Sequence, residues 1–275
     1  MQAIFPSTID GDLLRLVHLT NGFRLLNGAR PLQLGDTCHA EARIVSVVNS
    51  DSGKAVKVKG YIIRDGQHVL EVTSSFLYRG RFTDYANSFE IIDEDMYEVD
   101  LTSDAEIGVL QSKEWFEWES TTPLLTGAKL FFKLQSELQF KDKTTYSSAT
   151  VKGEVFVRDQ LKNFNRVGNV NYEKEPCQGN PVIAYLQRHG KAMGRPVLFE
   201  GGGYSIRSDD KYIAPKTNLP YSTISGDFNP IHVNPYFSDF AQLPGTITHG
   251  MWSSAATRKY LENALAGGVP ERVVS

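Results

Sequence analysis

Ala40-Glu41-Ala42-Arg43-Ile44-Val45-Ser46-Val47-Val48, then Val56-Lys57-Val58-Lys59-Gly60-Tyr61-Ile62, then Leu70-Glu71-Val72-Thr73-Ser74-Ser75-Phe76-Leu77-Tyr78 are three runs in which apolar or small residues return at every second position. A period of two sends alternate side chains to opposite faces of a strand. Ala40, Ala42, Ile44, Ser46 and Val48 are therefore expected on one face of a half-buried strand. Val56, Val58, Gly60 and Ile62 form the same face of a second, and Leu70, Val72, Ser74, Phe76 and Tyr78 that of a third. Residues 49–53 and Asp65-Gly66 separate the runs, and Asp-Gly suits a tight hairpin because both of its residues tolerate positive φ. Upstream, Asp10 is placed to cap a helix. Leu13, Leu16 and Val17 follow helical spacing, and Asn21-Gly22 can end it. One helix followed by three antiparallel strands puts the chain in the α+β class.

Working outward, residues 83–119 are acidic and aromatic, with Trp115, Phe116 and Trp118 close together, and read as a connector containing a further strand. Leu130, Phe132, Leu134, Ser136, Leu138 and Phe140 alternate cleanly, and Thr150, Val155 and Val157 mark another run, so more sheet is expected there. Residues 163–180, rich in Asn, Gly and charge and containing Pro176, read as a linker or surface loop and as the best candidate boundary. A short helix can begin over 182–187. Gly201-Gly202-Gly203 lacks the Lys-Ser/Thr of a phosphate-binding loop and reads as a turn. Near the end, Trp252, Ala256, Tyr260 and Ala264 recur every fourth position, with Ala255 and Leu261 widening the stripe and Gly267-Gly268 stopping it. A buried helix rich in small residues is expected. Val269-Pro270-Glu271-Arg272-Val273-Val274-Ser275 then reads as the start of a strand, so the sheet that would receive the helix is missing and a fragment of a longer polypeptide is expected.

Composition excludes several classes. With 41% hydrophobic and 22% charged residues, the chain has the makeup of an ordinary globular protein. Its 29 basic and 32 acidic side chains provide no polycationic surface for nucleic acid. No apolar stretch approaches the ~18 residues that a membrane helix needs. Met1-Gln2-Ala3-Ile4-Phe5-Pro6 lacks the basic end and apolar core of a signal peptide, and a cytoplasmic protein is expected. Cys38 and Cys177 have no metal-like spacing and are expected to be inert packing residues.

The densest set of reactive residue types is Ser225-Gly226-Asp227-Phe228-Asn229-Pro230-Ile231-His232, followed by Pro244-Gly245-Thr246-Ile247-Thr248-His249-Gly250-Met251. Proline fixes its own φ and pushes Asn229 towards an extended conformation, so the loop between Asp227 and His232 is stiff. An acid and a base held in register can divide a proton-transfer task, which suits adding or removing water. Gly250 opens the last helix, so its N–H is an orphan donor at a helix start, where the dipole favours negative charge. Aimed at a thioester carbonyl, it would stabilise the enolate that forms when the neighbouring carbon loses its proton. Asp227 in such a turn has an ordinary reading as an Asx-turn residue, and His232 one as a hydrogen-bonded structural histidine. His249 is assigned to bracing the loop. His18, His39, His68 and His189 read as surface or packing residues. No Gly-x-Ser-x-Gly elbow and no His-Glu-x-x-His occur, which removes the usual marks of a serine or zinc hydrolase.

The segment Ser225–His232 with His249-Gly250-Met251 resembles the signature of MaoC-like, (R)-specific enoyl hydratases and dehydratases. Residues 9–19, 70–80 and 112–116 resemble the dehydratase region of the fungal-type fatty acid synthase β subunit, and the similarity runs through essentially the whole chain. This resemblance implies tandem hot-dog folds, each a long helix wrapped by a curved antiparallel sheet, with the last one truncated at its C-terminus. The expected division is an N-terminal hot-dog-like domain over 1–95, a central section over 96–175 and an incomplete MaoC-like catalytic domain over 176–275. It further implies that Asp227 and His232 are the acid and base, Asn229 orients the loop and the Gly250 amide is the oxyanion donor. The implied reaction removes water from a (3R)-3-hydroxyacyl group on acyl carrier protein to give the trans-2-enoyl thioester. His232 is the expected base and Asp227 the donor to the departing hydroxyl. No cofactor or metal is expected, the substrate being carried on the phosphopantetheine of acyl carrier protein. The expected partners are the synthase α subunit and the remaining β-subunit domains, with Ile44, Val58 and Phe76 lining an acyl tunnel or serving as plain core. A free-standing (R)-specific enoyl-CoA hydratase and a non-catalytic section of a megasynthase are the alternatives.

Overall fold

Asp65 and Gly66 both take left-handed φ, 54° and 73°, and close a two-residue hairpin whose twist matches the strands on either side. In the computed structural model, residues 9, 11–12, 15–26, 28–159, 163–176, 178–193, 213–264 and 267–268 are described. The hairpin joins β3 (Gly53–Arg64) to β4 (Gln67–Arg79), and β3 also pairs with β2 (His39–Ser50), all antiparallel. The three expected strands are present. A bulge modifies their pattern: Ile44 pairs with Val58 and Val47 with Val56, leaving Val45 as the extra residue. One inserted residue reverses which parity faces inward. The even-numbered face expected for β2 therefore ends at Ile44, and Val47 and Asn49 carry burial onward.

The expected first helix is instead a strand, β1 (Leu16–Leu25), paired antiparallel with β4 from Leu16↔Tyr78 to Leu25↔Leu70. Leu16 and Val17 satisfy a helical and an extended reading alike, and an open edge on β4 decides between them. Asn21 and Gly22 lie within this strand. The proposed cap Asp10 and the apolar residue Leu13 lie outside the described residues.

Residues 84–202 form a compact unit of their own, and Met1–Thr83 with Gly203–Ser275 form the other. These divisions differ from the expected ones at 95/96 and 175/176. The first of the two units begins with β5 (Phe89–Asp93), β6 (Tyr97–Asp100), α1 (Asp104–Gln111) and β7 (Phe116–Trp118). It continues with β8 (Lys129–Phe140), β9 (Tyr146–Arg158), β10 (Phe164–Lys174), α2 (Pro181–His189) and β11 (Lys191–Ala192). The sheet order is β5-β8-β9-β10-β7, with β6 also on β8 and β11 on β6. Leu130, Phe132, Leu134, Ser136 and Leu138 of β8 are buried as the alternation predicts. Leu130, Phe132 and Leu134 pack with Val151, Val155, Val170, Leu110 and Leu186 into one core, each fully buried large side chain contributing roughly 1.5–3 kcal/mol.

The linker expected over 163–180 is largely β10, a strand held between β9 and β7. Its Asn165, Arg166, Asn171, Glu173 and Lys174 are exposed while Val167, Gly168 and Val170 are buried, so a one-sided strand has the composition of a loop. Helix α1 carries a complete capping box, Ser103 with Glu106, a pattern visible in the sequence that the connector reading passed over.

The remaining helices belong to the unit containing β1–β4: α3 (Leu219–Ser225), α4 (Pro230–Val233), α5 (Pro235–Phe240) and α6 (Gly250–Ala264). α6 is helical where expected. It is not buried: its residues with described side chains are exposed or half-buried, with Met251 and Ala255 exposed. Asn21 of β1 donates to Ser254 Oγ (3.1 Å) and Met251 Sδ (3.0 Å) of α6, and its Oδ1 accepts from Ser74 Oγ of β4 at 2.6 Å. Helix, edge strand and sheet are thus pinned at one point. The α+β, hot-dog class holds, with antiparallel sheet and short helices. Cys38 is exposed rather than packed, while Cys177, Gly201-Gly202-Gly203 and the strand start over 269–275 lie outside the described residues. No helix among the described residues is long and apolar enough to cross a membrane.

Candidate active site

Helix α3 stops because Gly226 takes a left-handed φ of 72°, its N–H bonding back to Ser222 O. The next residue, Asp227, accepts the Asn229 N–H at Oδ1 (3.1 Å). Asn229 in turn caps α4, accepting the Ile231 N–H at 3.4 Å, and Pro230 sits in the first turn. Two successive side-chain caps and a proline therefore fix the path from Asp227 to His232. Asp227 does perform the turn chemistry of its ordinary reading, but with one oxygen; Oδ2 lies 3.9 Å from His249 Nε2.

His232, on the single turn of α4, is 9% exposed. Its Nδ1 lies 2.8 Å from Ile247 O. A carbonyl can only accept, so Nδ1 carries the proton and Nε2 is left as the basic nitrogen. Burial pushes the imidazole pKa below its ordinary value. The Ile247 bond and the Asp227 charge oppose this, and His249 and His18 reinforce it. Asn218, which sequence reasoning missed, is buried and donates Nδ2 to both His232 O (2.9 Å) and Ile247 O (3.0 Å). It straps α4 to the segment entering α6.

His249, 1% exposed, directs Nε2 to Asp227 O at 3.0 Å and stacks on His232 with ring centroids 3.9 Å apart. It braces the Asp227 turn from the α6 entry, as its expected supporting place requires. One potential ligand atom from each of Asp227, His232 and His249 lies within 4.8 Å of the others.

Gly250 is the first residue of α6. A Cβ built there would lie 2.7 Å from His18 Nδ1 and 3.1 Å from His18 Cγ, so no side chain fits without displacing that ring. His18, expected to be an ordinary surface or packing residue, stacks on Phe76 (4.7 Å, 18°) with Nε2 3.1 Å from Thr20 O. A cavity of about 490 Å³ between β1 and α6 is lined by His18, Asn21, Phe23, Gly250, Ser254 and Leu261 among others. Of the tunnel candidates, Val58 and Phe76 are buried and Ile44 is half-buried. Nothing in the sequence pattern marks His18, because Phe76 and Gly250, which it meets, are distant from it in sequence.

Comparison with known proteins aligns three families along the chain. The MFE-2 hydratase 2 N-terminal domain matches residues 1–80, the fatty acid synthase subunit beta insertion domain residues 89–186 and the MaoC like domain residues 201–275. The first and third fall in the unit that carries β1 and α6, and the second within residues 84–202. The fatty acid synthase subunit beta of Schizosaccharomyces pombe is 48% identical over 280 residues, covering 99% of this chain and 14% of that protein. That of Saccharomyces cerevisiae is 44% identical, covering 99% and 13%. Fatty acid synthase beta subunit TOXC of Cochliobolus carbonum is 37% identical, with the same coverage. The chain spans about a seventh of the length of these relatives. Among solved structures, a MaoC-like dehydratase from Phytophthora capsici is similar at 11% identity with a TM-score of 0.23, covering 62% of this chain and 74% of that one. With 99% of its length aligned to such subunits and its end matching the MaoC like domain, the chain corresponds to the MaoC-like region of the fungal-type fatty acid synthase β subunit.

Proposed function

We propose that this segment dehydrates (3R)-3-hydroxyacyl groups carried on acyl carrier protein to trans-2-enoyl thioesters within a fatty acid synthase. The observation that carries the proposal is the imidazole of His232. It is buried, fixed as the Nδ1–H tautomer by Ile247 O, and held within 4.8 Å of the Asp227 carboxyl group. A buried imidazole with a ring nitrogen within 4.8 Å of a carboxyl group is placed to share a proton-transfer task with it.

In the proposed reaction His232 Nε2 takes the α-proton, and the electrons of that C–H bond move towards the thioester carbonyl. The Gly250 N–H at the start of α6, where the helix dipole favours negative charge, stabilises the resulting enolate oxygen. The electrons return to form the carbon–carbon double bond as the C–O bond breaks, and Asp227 gives its proton to the departing hydroxyl, which leaves as water. The site then holds an imidazolium and a carboxylate. Proton transfer from one to the other restores the starting state. Asn229 acts by orienting the loop. No cofactor is required, and the acyl group arrives on a phosphopantetheine arm, the α subunit and the other β-subunit domains being the partners.

The test is turnover of 3-hydroxyacyl substrates on acyl carrier protein and on coenzyme A by the assembled synthase, with and without His232→Ala. Loss of dehydration on the carrier-protein substrate supports the proposal. Preference for the coenzyme A ester would replace it with an enoyl-CoA hydratase. Unchanged dehydration would leave this segment a scaffold.

A further inference from the structure

We propose that His18 is a specificity-determining residue of this site, accepting a hydrogen bond at Nδ1 from the first amide N–H of the thioester's carrier arm. This rests on the dehydratase reading above and names a contact that the reading does not require.

Three observations on β1 and α6 converge. The ring of His18 is immobilised by its stack on Phe76 and by Nε2, which lies 3.1 Å from Thr20 O. Since that carbonyl can only accept, Nε2 carries the proton and Nδ1 holds a lone pair. This atom lies at the tip of α6: Nδ1 is the atom nearest to where a Cβ on Gly250 would lie. Finally, His18 and Gly250 line the same cavity of about 490 Å³.

An acceptor beside the proposed oxyanion donor constrains the ligand. A lone pair facing the enolate oxygen itself would repel it, so the group opposite Nδ1 must be a donor. An acyl chain offers none, and the thioester sulfur offers none. The carrier arm does: two methylene groups beyond the sulfur lies an amide N–H, common to acyl carrier protein and coenzyme A. The cavity also presents polar side chains, Asn21, Ser253 and Ser254, alongside Phe23 and Leu261, a lining suited to an amide-bearing arm rather than to an alkyl chain alone. The absence of a side chain at Gly250 leaves room for the imidazole to reach this position.

The experiment uses the assembled synthase and two small (3R)-3-hydroxyacyl thioesters, one of N-acetylcysteamine and one in which ester oxygen replaces the amide N–H. The unaltered enzyme should show kcat/KM roughly tenfold higher for the amide. His18→Phe, which keeps a ring on Phe76 but no acceptor, should erase that preference, and His18→Gln should restore part of it. Acyl carrier protein and coenzyme A substrates should both lose from His18→Phe, since both carry the amide. Equal turnover of the two thioesters by the unaltered enzyme would overturn the inference while leaving the dehydratase reading intact. A preference that survives His18→Phe would do the same. No turnover of either thioester or of the carrier-protein substrate would remove the dehydratase reading, and this inference with it.

Discussion

His232 and His249 stack with centroids 3.9 Å apart and 27° between ring planes, yet they use opposite nitrogens to hold their tautomers. His232 bonds through Nδ1 to Ile247 O and His249 through Nε2 to Asp227 O. Two imidazolium rings at this distance would repel, and His232 lies out of solvent, so its neutral form is favoured. His232 is accordingly lowered from 6.5, first by burial. The acid limb of kcat/KM for dehydration should fall below pH 6.5, where an unperturbed histidine base would lose half its activity. Stability follows the same sign. The unfolded chain binds the proton more readily, so the contribution of neutral His232 is present above pH 6.5 and is lost as pH falls through the lowered folded value. A pH–rate profile and denaturant titrations at several pH values check both.

Removing either proposed proton carrier should suppress dehydration and spare the fold. His232→Ala and Asp227→Asn should each lower kcat by about 10²- to 10⁴-fold. Asparagine can still accept the Asn229 N–H, so the turn survives. Single-turnover dehydration read beside thermal melting separates the two effects, and a variant that melts normally and turns over normally would remove that residue from the proposed mechanism.

The contact between Gly250 and His18 predicts a compensating pair. Gly250→Ala places a methyl group 2.7 Å from His18 Nδ1 and should cost about 1–3 kcal/mol by overpacking. Adding His18→Ala should recover most of that stability, though not the activity that the imidazole supports. Denaturant unfolding of the two single variants and the double variant measures the coupling.

Asn229 holds α4 by its cap, and Asn229→Ala should destabilise by about 1 kcal/mol. It should also lower kcat more than it raises KM, because the loop sets the separation of Asp227 and His232 rather than touching the acyl chain. Equal loss in both parameters would argue for direct substrate contact instead.

In the other unit, Leu130 is fully buried among Phe132, Val155 and Leu110. Leu130→Ala should destabilise by about 2–5 kcal/mol, depending on how far the core collapses into the space. Equilibrium unfolding by denaturant gives the value.

Short-range chemistry was the legible part of this molecule. Asp65-Gly66 announces its hairpin because both residues accept positive φ, and β8 shows its inner face because every second residue from Leu130 to Leu138 is buried. The stiff bend from Asp227 to His232 is equally local, and its geometry follows from caps written within six residues. What escaped was set by partners distant in sequence. Leu16 and Val17 become a strand because β4 offers an edge. Residues 164–174 become one because β9 and β7 lie on both sides, although asparagines and charges suit a loop equally well. His18 and Asn218 acquire their places only when residues near 250 arrive.

That distance has a consequence for synthesis. Asn21 and Ser254, the clasp between edge strand and helix, are 233 positions apart. At about 5–20 residues per second, a ribosome takes roughly 10–50 s to make the intervening chain. During that interval the nascent β1–β4 sheet waits with the surface meant for α6 uncovered, while the whole of residues 84–202 is translated. A chaperone that shields this edge on the emerging polypeptide would therefore act before the clasp can close.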